Sequence, residues 1–118
     1  MLAGEKPMAM FGDAVGYTHH FPEADFAPYV ADGTFVRKEV VYRPKGEGVA
    51  CQFVYFARVG EEWRIEAMHQ IHLKVFVDGN TTYAETEREI GRLLGYTEAD
   101  IERFLLWVEE CRFRLWGR

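Results

Sequence analysis

The run Glu89-Ile-Gly-Arg-Leu-Leu-Gly-Tyr-Thr-Glu-Ala-Asp-Ile-Glu-Arg-Phe-Leu105 constrains the fold of this chain more than any other stretch. Gly91 offers a small residue where one helix must approach another, and Gly95 stands where a helix closes in a left-handed turn. Ile101 falls where the following helix plugs a core. Thr82 with Glu85 forms a capping box for the first helix, and Thr97 with Asp100 is an acidic variant of that box for the second. Beyond it, Ile101, Phe104, Leu105, Val108, Cys111 and Leu115 recur at spacings of three and four, an apolar stripe. The spacing predicts a helix pair over residues 82–116. Leu106, Trp107 and Phe113 fall outside the stripe, so the second helix needs cover on more than one side.

Upstream the pattern reads as strands. Phe35–Arg43 ends at Pro44, and Lys45-Gly-Glu-Gly48 reads as a connecting turn. Val49–Val59 is apolar on nearly both faces, which places it centrally in a sheet. Gly60-Glu61-Glu62 then reads as a tight hairpin into a third strand. There Trp63, Ile65, Ala67, His69, Ile71, Leu73, Val75 and Val77 alternate with a second set containing Met68, His72 and Phe76. Residues 1–33, with Pro7, Pro22, Pro28 and several glycines, read as an irregular arm with a short helical turn around Glu23–Val30. The expected fold class is α+β. It is a three-stranded antiparallel meander over 34–77, with a fourth strand as the alternative, packed against a C-terminal αα pair, all in one domain spanning 1–118.

Composition narrows the function classes. A chain of 118 residues that is 48% hydrophobic holds one core and is too apolar to be disordered. Its net charge of −5 repels nucleic acid and anionic lipid. Cys51 and Cys111 form no Cys-x-x-Cys pair, and nothing marks a secreted disulfide framework. Met1–Pro7 lacks the apolar region of a signal peptide, and no stretch reaches the roughly 20 apolar residues of a membrane span. These features lead to the expectation of a cytoplasmic protein with neither nucleic-acid nor membrane partners.

In its packing positions, Glu89–Leu105 resembles a DNA-binding helix-turn-helix. The resemblance covers under a fifth of the chain, and it rests on Gly91, Gly95 and Ile101, which specify how two helices meet. A DNA reader presents Arg, Lys, Asn, Gln or Ser in the first turns of its second helix. This chain presents Glu98, Ala99, Asp100 and Glu102. The corner is therefore read as a packing element.

Candidate site residues are few. On a strand, His69 and His72 point to opposite faces and cannot share a metal ion; no metal and no cofactor is expected. If strand 63–77 pairs with 49–59, Phe53 lies opposite His69 with Cys51 and Tyr55 diagonal to it, within about 7–8 Å. A thiol beside an imidazole is the minimal activated nucleophile, although a small cysteine on an apolar strand is ordinarily core. The preferred reading is a domain that binds a protein partner or a small apolar ligand, as a homo-oligomer. Tyr55, Trp63, His69 and Cys51 would line a cleft between sheet, helices and arm. The alternative is a small-molecule enzyme using His69 with Cys51 or a carboxylate, and a helix-turn-helix nucleic-acid regulator ranks behind it. Trp107, Phe113 and Trp116 are the expected dimer interface, because so many aromatics outrun what three strands and two helices can hide.

Overall fold

In the computed structural model, residues 6–79 and 83–116 are described, with side chains over 6–79 and 84–110. The chain runs β1 (Met8–Ala14), α1 (Glu23–Ala31), β2 (Phe35–Tyr42), β3 (Cys51–Arg58), α2 (Glu62–His72), α3 (Tyr83–Leu93) and α4 (Glu98–Trp116). The class is α+β around a three-stranded antiparallel sheet of order β1-β3-β2. The doubly apolar β3 is indeed the central strand. Among the described residues no helix is long and apolar enough to cross a membrane.

The sheet departs from a sequential meander in two ways. Its third strand is β1, inside the stretch read as an irregular arm, paired with β3 from Met8↔Ala57 to Ala14↔Cys51. Gly12 hid this strand from a reading by composition. The residue is small because the Phe53 ring occupies the space a Cβ would need. The helical turn around Glu23–Val30 is present, extended into the full helix α1.

The second departure is the segment 63–77, read as a long strand and folded as α2 with a π-helical continuation over Leu73–Asp78 that ends at Gly79, φ 67°. Fifteen extended residues would run about 50 Å at roughly 3.3 Å each, against about 26 Å for an eight-residue partner. Half of such a strand would have no backbone partner. Moreover, β1 and β2 already occupy both edges of β3, so no hairpin through Gly60 can form. In the helix, Ile65, Met68 and His72 share one buried stripe at spacings of three and four. Alternation had divided those three residues between opposite faces.

The layers follow from the pleat. Met8, Met10, Val40, Tyr42, Phe53, Tyr55 and Ala57 lie on the face that packs against Ile65, Met68, Phe76, Ile90 and Leu94. Val54 and Phe56 lie on the other face, under Phe11, Phe21, Phe26 and Val30. Helices thus cover both sides of the sheet.

The helix corner formed as its spacing predicts. The amides of Gly95 and Tyr96 donate to the carbonyls of Arg92 and Gly91 at 3.1 and 3.0 Å, a Schellman closure with Gly95 at φ 90°. Thr97 Oγ1 accepts from the Asp100 amide at 3.2 Å and caps α4. A Cβ on Gly91 would stand 2.7 Å from Ile101 Cγ1, so the two helices meet through a glycine against a buried isoleucine. The capping pair of Thr82 with Glu85 lies outside the described residues, because Thr82 does.

Candidate functional site

Two features stand out, a buried chain of hydrogen-bonding rings and an apolar cleft beside it. The first begins at Tyr42, the last residue of β2, and Tyr55 on β3, both facing α2. On that helix the spacing of three between His69 and His72 turns both imidazoles toward the sheet. His69 Nδ1 lies 2.8 Å from the Tyr42 hydroxyl, which lies 2.5 Å from the Tyr55 hydroxyl. The Tyr55 hydroxyl lies 2.5 Å from His72 Nδ1. Tyr42, Tyr55 and His72 are essentially inaccessible to solvent, whereas His69 is half-buried and forms the outer end.

The chain has three links but only two hydroxyl protons. One imidazole must therefore donate through Nδ1–H, and the fully satisfied arrangement has the other accepting at Nδ1. The two histidines adopt opposite tautomers, and all the hydrogen bonds run in one direction. Burial raises the pKa of both phenols above the ordinary tyrosine value. Burial also depresses His72, to about 4, with His69 adding a smaller repulsion. His69 is lowered as well, first by burial and then by Lys38. All four rings are thus neutral near pH 7, which satisfies their polar atoms without burying charge.

The second feature is a cleft of about 490 Å³ at the meeting of β1, α3 and α4. Glu87, Ile90 and Gly91 line it from one face of α3, with Leu94 just past that helix's end. Asp100, Ile101 and Phe104 line it from α4, with Tyr96 at the turn and Met10 from β1. The α3 wall is held by Arg64, whose guanidinium donates to the carbonyls of Arg92 and Leu93 at 3.1 and 3.0 Å and to Glu61 at 2.7 Å. Outside the cleft, Arg88 pairs with Glu102 and Arg92 with Glu98, each at 2.7 Å. The acids at the head of α4 thereby take up two of the three arginines on this corner. Asp100 lies 3.6 Å from the third, Arg103.

No known protein family, curated protein or solved structure matches this chain.

The residues singled out in the sequence scatter. His69 and Tyr55 belong to one hydrogen-bonded chain, joined through Tyr42. Cys51 does not join His69: its thiol donates to the Val49 carbonyl at 3.7 Å, and His69 Nδ1 is taken by Tyr42. The expected dyad depended on residues 63–77 being a strand, and the helix removes that register. Trp63 does not line this cleft; it is 56% exposed, with the Arg64 guanidinium 4.5 Å from its ring. Trp107 is exposed beside Leu106, while the side chains of Cys111, Phe113 and Trp116 lie outside those described. His20 reaches Asp13 at 3.5 Å, and among the described residues no three metal-ligating side chains converge. Sequence reading missed Tyr42 and Glu87, and it set His72 aside as facing away from His69 on a strand. The i, i+3 spacing of the histidines was the available signal, and it required a helix.

Proposed function

We propose that this domain binds a small apolar molecule in the cleft between β1, α3 and α4. The observation that carries the reading is the cleft itself. It has the volume of a small-ligand site, walls of Met10, Ile90, Leu94, Ile101 and Phe104, and few polar groups. It lies where β1, α3 and α4 meet, and none of Tyr55, Trp63, His69 and Cys51, the residues expected to line a ligand cleft, lines it.

Titration with the neutral fluorophore N-phenylnaphthylamine tests this proposal. Saturable binding with enhanced emission is expected. Phe104→Ala should weaken it about fivefold to tenfold, since removing part of an aromatic wall costs on the order of 1 kcal/mol of contact. A folded protein that gives no saturable signal would overturn the proposal.

Self-association is the second part of the reading. On α4, Leu106 and Trp107 are 63% and 59% exposed, and the Trp107 ring lies 6.2 Å from that of half-exposed Phe104. Three large apolar side chains on one helix fit a two-fold contact with a second copy. Trp107→Glu should lower the sedimentation coefficient from a dimer's to a monomer's at micromolar concentration. A monomeric parent chain would rule this contact out.

A further inference from the structure

We infer that the ligand of this cleft is a cationic amphiphile, an apolar body carrying an ammonium or amidinium group that pairs with Glu87. The inference rests on the proposed use of the cleft and concerns the charge of its occupant. Two carboxylates line the cleft, and no lining residue is basic. Asp100 is compensated in part by Arg103. Glu87 differs: no hydrogen bond or ion pair joins it to any described residue, while its neighbours Arg88 and Arg92 turn outward to Glu102 and Glu98. Lys6, beside the rim, is bound to the Tyr96 hydroxyl at 3.1 Å, not to Glu87.

Glu87 is also partly buried, and burial alone raises its carboxyl above the ordinary value. A partly buried carboxylate in a cleft that Ile90, Leu94 and Phe104 also line loses water without gaining a partner among the described residues, which is costly unless a cation arrives. The arrangement complements a single positive group whose apolar remainder fills the space between Met10 and Ile101. It disfavours an anionic one of the same shape. The protein's net charge of −5 steers ligands in the same direction.

Displacement of N-phenylnaphthylamine by octylamine, octanol and octanoate, chains of equal length and different charge, tests the inference. Octylamine at neutral pH should displace the probe at about one tenth of the octanol concentration or less, since a charge-assisted hydrogen bond contributes that much. Octanoate should be weakest. In Glu87→Gln the preference for octylamine over octanol should vanish while octanol displacement stays within about twofold, and raised salt should narrow the gap in the parent chain. Equal displacement by amine and alcohol, or a preference that survives Glu87→Gln, overturns the cationic assignment and leaves the cleft reading standing. Failure of the probe to bind at all removes the cleft reading and this inference with it. Far-ultraviolet dichroism and a thermal melt confirm that the variant compared is folded.

Discussion

Replacing Phe56 with Ala should cost about 3–5 kcal/mol of stability, the largest loss expected from any single truncation on the α1 side of the sheet. Phe56 is 1% exposed and lies on the β3 face turned away from α2. Its ring stacks on Phe26 of α1 at 4.3 Å and meets Phe11 of β1 edge-on at 6.3 Å. Three elements distant in sequence therefore close on one side chain, and the cavity left by truncation cannot collapse without moving a strand. Urea denaturation measures the effect. The midpoint should fall with the slope unchanged, and the fall should not depend on protein concentration. A loss below about 1 kcal/mol, or one that fades as concentration rises, would mean that a second copy covers this face instead of α1. The result also bears on the dimer. The apolar second face of β3 was one reason to expect an oligomer, but α1 and Phe21 supply its cover within one chain. The exposed side chains of α4 still argue for a partner copy.

Acidification should expose the buried histidine. His72 falls from 6.5 to about 4 in the folded protein because burial penalises the imidazolium, and the groups around it supply no negative charge. It faces Tyr55, Tyr42, Phe53, Phe76 and His69. The unfolded chain binds a proton at this residue from about pH 6.5 downward, and the native state does not until about pH 4. Stability from a depressed pKa is complete above the unfolded value and is lost as pH falls through that window. The loss attributable to His72 is about 3 kcal/mol. Denaturation in a series of buffers from neutral to about pH 4 should show this slope, and His72→Gln should flatten it. Nitrogen NMR shifts at neutral pH should assign opposite tautomers to His69 and His72. A pH slope unaffected by His72→Gln, or Nδ1 unprotonated in both rings, would break the hydrogen-bonded chain.

The parts of this fold legible in the sequence are those whose signals are local. Gly95 needs φ 90° to close α3, Thr97 needs only the amide three residues on to cap α4, and Gly91 is small because Ile101 is near. Each interaction is closed within a few residues or across one turn. The central position of β3 was legible too, because a strand apolar on both faces has to be covered on both. The candidate site was much less so. Tyr42, Tyr55, His69 and His72 meet only if residues 62–72 are helical, and Met10 reaches the cleft only if 8–14 is a strand.

The ambiguity at 63–77 was real at the level of the chain. Its apolar residues satisfy a period of two over fifteen positions, and they also contain Ile65, Met68 and His72 at helical spacing. Nothing within the segment chooses between these patterns. The choice is made by β1, which pairs with one edge of β3 while β2 takes the other, leaving no backbone partner for another strand beside it. Without a sheet edge, the segment satisfies its amides and carbonyls internally as a helix. The sequence by itself thus determined the helix corner, the doubly covered central strand and an acidic surface. Tertiary structure decided which segment completed the sheet, and hence which residues line the cleft, because pairing of backbone groups far apart in the chain leaves no trace in local periodicity.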